Sequence, residues 1–110
     1  MANTFTRKTS QNIGATATQV GVYEVPAATT TVVIGLVCTN TTGSAITANV
    51  YLANATANTY IVANAPISSG ASLIPVGGDQ KIVMITGDKM YVQSSASSSI
   101  DTVMSIMEIT

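Results

Sequence analysis

Few side chains in this 110-residue sequence could take part in catalysis or metal binding. There is one cysteine and no histidine, so the ligands of common zinc sites and the usual base for a thiol or hydroxyl nucleophile are missing. The five carboxylates do not fall at the spacing of a calcium-binding loop, and the glycines form no phosphate-binding loop. They are Glu24, Asp79, Asp88, Asp101 and Glu108. The sequence therefore predicts no catalytic centre, no metal site and no cofactor.

Most of these groups have a structural interpretation. Asp79 and Asp88 each follow a glycine at a predicted hairpin corner, where an Asp side chain often bonds to the nearby backbone. Glu24 and Glu108 lie in strand patterns and are expected to face solvent. Cys38 lies in an apolar strand pattern, where a lone cysteine behaves as a small buried hydrophobic residue. We therefore do not expect an enzyme.

Charge is rare along the whole chain. Only 8% of the residues are charged, against about a quarter in a typical globular protein. No charged residue occurs between Glu24 and Asp79, and the net charge is −1. Four basic residues could neutralise few phosphates, so no nucleic acid is expected as a partner. The longest apolar run, residues 32–38, is too short to cross a membrane as a helix, and the N-terminal residues lack the apolar core of a signal peptide. We expect a soluble protein.

Apolar residues recur with a period of two, which predicts β-strands. Residues 32–38 alternate, a turn signal follows at residues 40–43, and alternation resumes at residues 46–52. In the first of these strands the side chains expected to face the core are Val32, Ile34, Leu36 and Cys38. Further strands are predicted at residues 19–25, 58–64, 71–76, 81–85, 89–93 and 100–109.

About eight short strands separated by turns predict an all-β fold, an antiparallel β-sandwich of immunoglobulin-like or jelly-roll topology. The pattern does not distinguish the two topologies. Residues 15–110 are predicted to form one sandwich domain, and residues 1–14 an N-terminal arm or a first strand. Residues 100–109 are apolar on both faces, which is typical of a central or intersubunit strand.

The neutral surface is the main functional clue. Uncharged strand faces cost little to desolvate, and interface cores are depleted in charge. A small domain with so little charge is also prone to associate. We therefore expect much of the outer surface to contact other protein copies. Candidate contacts are Phe5 as an apolar anchor, two basic residues that would pair with a partner's acids, and the outer face of the strand at residues 46–52. The contact residues predicted are Phe5, Arg7, Lys8, Thr47, Asn49 and Tyr51.

Four segments carry a resemblance to a known group of proteins. They are MANTFTRKTSQNIG at the start, VPAATTTVVIGLVCTNTT, APISSGASLIPVGGDQKIV, and SIMEIT at the end. Across nearly the whole chain, the sequence resembles small virion structural proteins of tailed phages, especially marine and cyanobacterial phages. The resemblance implies a β-rich component present in many copies of the particle, such as a head-decoration (cement) protein or a small neck or tail part. It brings no functional residues with it.

The first hypothesis is a capsid decoration protein that binds the head surface as an oligomer, with a trimer favoured. Its partners would be copies of itself and the major capsid protein, and it would be located in the virion after assembly in the host bacterial cytoplasm. The second hypothesis is a neck, tail or fibre-base component. The third is a carbohydrate-binding adhesion module, for which the available aromatic side chains are Tyr23, Tyr51, Tyr60 and Tyr91.

Overall fold

The structure is a computed structural model that describes residues 2–110, and these residues form nine β-strands and no helix. The strands are β1 (Asn3–Ile13), β2 (Thr18–Glu24), β3 (Thr30–Asn40), β4 (Ile46–Ala53), β5 (Asn58–Ile67), β6 (Ser72–Val76), β7 (Ile82–Met84), β8 (Lys89–Ser94) and β9 (Ile100–Ile109). The all-β prediction is confirmed. The alternating residues of each predicted strand do form a strand, with bounds that differ by a few residues.

The strands form two antiparallel sheets that pack into a sandwich. One sheet has the order β1-β9-β3-β6, with the short β7 pairing further along β3, and the other has the order β2-β8-β4-β5. The pairs β1/β9, β2/β8, β3/β6 and β4/β5 make one long two-stranded ribbon that folds back and forth between the sheets. This is the topology of a jelly roll. The strand order thus decides between the two topologies that the sequence left open.

The core lies between the two sheets and is made of alternate side chains. Strand β9 lies between β1 and β3, and its inward residues Ile100, Met104 and Ile106 are fully buried. They pack with inward residues of the facing sheet such as Val50 and Val92, which are also fully buried. Residues 100–109 are apolar on both faces, and packing in the core explains the inward face. They form a central strand of the sheet, as predicted.

One predicted set of core residues is wrong in its first half. Leu36 and Cys38 face the core as expected, but Val32 and Ile34 are only half-buried, and Val33 is fully buried instead. The pairing of β3 with β9 shifts between Val33 and Gly35, which makes Ile34 the extra residue of a β-bulge. Because one extra residue reverses the inward and outward faces, the alternation changes phase at the bulge.

Residues 3–13, for which the sequence left an arm or a strand open, form the edge strand β1. Register pairs with β9 run from Asn3–Ile109 to Ile13–Ile100, with a shift between Ser10 and Ile13. The side chain of Ser10 also accepts a 2.8 Å hydrogen bond from the backbone N–H of Gly21 in β2. Strand β1 is therefore attached to both sheets.

Candidate functional site

Four of the five carboxylates, those of Glu24, Asp88, Asp101 and Glu108, have a hydrogen-bond or ion-pair partner within the chain. In the described part of the chain, no group of three or more His, Cys, Asp or Glu side chains is placed to hold a metal ion. Asp88 accepts a 3.0 Å hydrogen bond from the N–H of Ile85, which confirms its role in the turn. Glu24 forms an exposed ion pair with Lys89 at 3.7 Å. Asp101 accepts a 3.0 Å hydrogen bond from the N–H of Asn12.

The prediction for Glu108 is wrong, because this side chain faces inward and is half-buried. Its Oε2 accepts a 2.7 Å hydrogen bond from the hydroxyl of Tyr23, which also lies 2.7 Å from the Thr31 hydroxyl. Burial raises the pKa of Tyr23 to about 12, opposed by the Thr31 hydrogen bond and reinforced by the Glu108 carboxylate. The even positions of β9 face the core, and Glu108 continues that series at the end of the sandwich.

Cys38 is fully buried in the core, as predicted. Its Sγ lies 3.8 Å from the hydroxyl of Thr102, and burial raises the pKa of the thiol to about 11. A thiol with a raised pKa is a poor nucleophile at neutral pH. Cys38 is therefore a packing residue of the core.

The most unusual surface is the outer face of the five-stranded sheet. Strand pairing places Phe5, Met107, Val32 and Val83 in one row across β1, β9, β3 and β7. Phe5 is 72% exposed and Val83 is 59% exposed. Val103 in β9 and Ile74 in β6 are also exposed on this sheet. We call this surface the apolar face, defined by Phe5, Val32, Ile74, Val83, Val103 and Met107.

The apolar face is not flat. The neighbouring row across the same strands consists of Arg7, Ser105 and Gly35, two of which have little or no side chain. A shallow depression of about 300 Å³ lies here, lined by Phe5, Thr6, Arg7, Ile34, Ser105 and Ile106. The bulged residue Ile34 therefore lines a surface depression and does not fill the core. The depression has an aromatic ring and a guanidinium group at its β1 side.

The three predicted contact residues of β1 lie on opposite faces of the sheet, because side chains alternate along a strand. Phe5 and Arg7 point to the apolar face and line the depression. Lys8 points to the other side, where its Nζ lies 5.1 Å from the centre of the Tyr23 ring. The structure therefore brings Phe5 and Arg7 together and directs Lys8 to a contact within the chain.

The other three predicted contact residues lie on the outer face of the four-stranded sheet. Thr47 and Asn49 are half-buried, and the Asn49 amide spans two strand pairs. Its Nδ2 donates to Gln93 Oε1 at 3.3 Å and its Oδ1 accepts from the N–H of Asn64 at 2.7 Å. Tyr51 is only 9% exposed. Its ring stacks on that of Tyr91 at 5.2 Å and lies 5.1 Å from that of Tyr60.

Sequence reasoning missed most of the apolar face. The apolar odd positions of β9 were a visible signal, because a strand with one face in the core needs no apolar residues on the other. Val32 and Val83 gave no such signal, since their outward direction depends on the bulge and on the pairing of β7. Residues from opposite ends of the chain meet on this face only through the sheet order.

No protein-family model matches the sequence, and no curated protein matches it. Among solved structures, a chain of Bacillus endospore appendages, described as disulfide-linked pili, is similar over 100% of this chain and 91% of its own, with 14% identity and a TM-score of 0.52. A chain of infectious bursal disease virus, Gx strain, is similar over 97% of this chain at 14% identity and a TM-score of 0.54. This chain spans 32% of that viral chain. At such identities the similarity shows the shared β-sandwich fold alone.

Within residues 2–110, no helix has the length and apolar character needed to cross a membrane.

Proposed function

We propose that this protein is a non-enzymatic structural component of a viral particle, and that it acts by associating with further copies of itself through the apolar face. The observation that carries this proposal is the row Phe5–Met107–Val32–Val83 across four strands. Extended apolar surface on a small domain marks a contact site, because its exposure to water is unfavourable. The shared fold with a viral chain and a pilus chain is consistent with a role in assembly.

The chemistry of the face favours a protein partner. Its exposed members are aliphatic or aromatic, and Arg7 is the charged residue beside the depression. Phenylalanine, methionine and arginine are enriched at protein interfaces, and this face presents Phe5, Met107 and Arg7. The same face on a second copy presents the same apolar row, so two copies can bury these rows against each other without burying an unpaired carboxylate.

The more specific proposal is a decoration protein of a tailed-phage head, bound as an oligomer, for which a trimer is favoured, to the major capsid protein. It rests on the sequence resemblance and on the scarcity of charge. A neck, tail or fibre-base component would have the same surface chemistry, but fewer copies of it would be present in each particle. Quantitative mass spectrometry of purified virions separates the two: hundreds of copies per particle support decoration, and a few dozen or fewer contradict it.

Self-association is tested by light scattering coupled to size-exclusion chromatography. The double variant Phe5→Ser/Val83→Ser removes the two ends of the apolar row and is expected to shift the protein to the monomer. Both side chains are more than half exposed, so the free energy of unfolding of the monomer should change by less than about 0.5 kcal/mol each. Val22→Ser is the matched control, because Val22 is 83% exposed on the other sheet. A monomeric wild-type protein at high concentration, or a double variant that still associates, would contradict the proposal.

Capsid binding is tested by cosedimentation with undecorated heads. Removal of residues 2–14 is unsuitable, because it removes β1 and uncovers β9. Arg7→Glu reverses the exposed charge beside Phe5 without touching the core, and is expected to weaken binding by about tenfold or more. Lys81→Glu makes the same charge change at an exposed residue outside β1 and serves as the comparison. Equal binding of the wild type and Arg7→Glu would remove Arg7 from the proposed contact.

A further inference from the structure

A second surface feature lies on the four-stranded sheet, away from the apolar face. A groove of about 540 Å³ crosses the strands at the end of the sheet where β4 turns into β5. Its volume is in the range of small-ligand sites. Its shape follows from strand register. One row of paired side chains on the outer face of the sheet forms a wall of the groove, and the next row on the same face forms its floor.

The wall is aromatic. Tyr91, Tyr51 and Tyr60 form one row across β8, β4 and β5. The Tyr51 and Tyr91 rings are nearly parallel, with 7° between their planes, and both line the groove. Tyr60 continues the row on β5 beyond the residues that line the groove, and it is 53% exposed. Each ring is held by its neighbour, so little side-chain entropy remains to be lost when a ligand binds.

The floor is the next row of side chains, which is mostly polar and has a short side chain at its centre. It consists of Glu24, Lys89, Ala53 and Asn58 across β2, β8, β4 and β5. Ala53 leaves the central space open, and the ion pair of Glu24 with Lys89 cancels the charge at one end. The opposite wall includes Asn54, whose Oδ1 accepts hydrogen bonds from the N–H groups of Thr56 and Ala57 at 2.9 Å each. That loop is therefore ordered around its own hydrogen bonds.

We propose that this groove between the tyrosine row and the polar floor binds a neutral oligosaccharide. A sugar ring has an apolar C–H face that packs on an aromatic ring, and hydroxyl groups at its edge that pair with carboxylate, ammonium and amide groups. The groove provides both along one line, so successive sugar units contact successive strands. Phosphate or sulfate groups are disfavoured because Glu24 faces Lys89. A peptide strand finds no free backbone there, since the groove crosses the face of a paired sheet.

The test is a titration of isotope-labelled protein followed by nuclear magnetic resonance. The probes are neutral hexasaccharides of glucose, mannose, galactose and N-acetylglucosamine at millimolar concentration, with a sialylated and a sulfated glycan for comparison. We expect at least one neutral probe to shift amide signals of β4, β8 and the loop between β4 and β5. Shifts with none of the neutral probes, or only with the charged glycans, would overturn the proposal.

Variants of the groove then locate the contact. Tyr91→Ala removes part of the wall and Ala53→Trp fills the floor, and each is expected to weaken binding by about tenfold or more, equivalent to about 1.4 kcal/mol. Ala53 is an outward, half-buried residue, so Ala53→Trp remains interpretable if Tyr91→Ala unfolds. Phe5→Ser, on the apolar face, should bind as the wild type does. Unchanged binding by a folded Ala53→Trp variant would refute this location.

Discussion

The hydroxyl of Tyr23 in β2 donates a 2.7 Å hydrogen bond to the Glu108 carboxylate in β9, and so links the two sheets near the chain's last strand end. The Thr31 hydroxyl and the Lys8 ammonium group complete the surroundings of this tyrosine. A buried phenol with two oxygen partners and a nearby cation is a satisfied polar cluster. In the described residues, every buried side-chain nitrogen or oxygen has a hydrogen-bond partner.

Replacement of Tyr23 by phenylalanine is expected to lower the free energy of unfolding by about 1–2 kcal/mol at neutral pH, because Glu108 and Thr31 lose a buried partner. The effect should depend on pH. The pKa of Tyr23 is about 12 in the folded protein against 10.0 for the ordinary side chain, so the fold favours the neutral phenol. Its contribution to stability is complete below pH 10 and is lost as the pH rises toward 12.

Urea unfolding of the wild type and Tyr23→Phe at pH values of about 8 and about 11 measures this effect. The difference between the two proteins isolates Tyr23 from the other groups that titrate in this range, Cys38 among them. We expect the wild type to lose part of its advantage at the higher pH. A difference that stays constant over this range would contradict the assignment.

Two isosteric substitutions of adjacent residues test which residues of β3 face the core. Val33 is fully buried and Val32 is half-buried on the apolar face. Val33→Thr places a hydroxyl group in the core and should cost about 1–3 kcal/mol of unfolding free energy, whereas Val32→Thr should cost about 0.5 kcal/mol or less. The uninterrupted alternation of the sequence predicts the reverse order. Chemical denaturation of both variants decides between them.

Gly21 is expected to tolerate no side chain. Its φ is +60°, and a Cβ there would lie 2.5 Å from the Cβ of Lys8 in β1. Gly21→Ala should therefore lower the free energy of unfolding by about 1–3 kcal/mol or more, from backbone strain and the clash together. Gly43→Ala is the control, because a Cβ at Gly43 meets no atom within 4 Å. Similar thermal midpoints for the two variants would contradict the close approach of β1 and β2.

The Cys38 thiol should be unreactive in the folded protein. It is fully buried and its pKa is raised to about 11, so a thiol reagent at mildly alkaline pH should label it only after unfolding in guanidinium chloride. The control is Cys38→Ala/Ser68→Cys, which moves the thiol to an exposed turn and should react at once. Rapid labelling of the native wild type would show that the core around Cys38 opens readily.

The local features of this protein follow from its sequence. A period of two in the apolar residues predicts strands, and turn residues divide them, because pleating and tight turns depend on neighbours along the chain. The burial of Cys38 and the bounds of residues 100–109 follow from that pattern. So does the sandwich class, since a short chain of amphipathic strands buries its apolar sides by stacking two sheets.

The tertiary structure alone decided the topology, which residues of β3 face the core, and which residues share each of the two surface rows. A single bulge at Ile34 reverses the faces of half a strand, and nothing in the local alternation marks it. The row that joins Phe5 to Val83, and the row that joins Tyr91 to Tyr60, each combine residues from three or more strands. Such rows are set by strand register, which depends on pairing between distant segments, and pairing is a property of the folded chain as a whole.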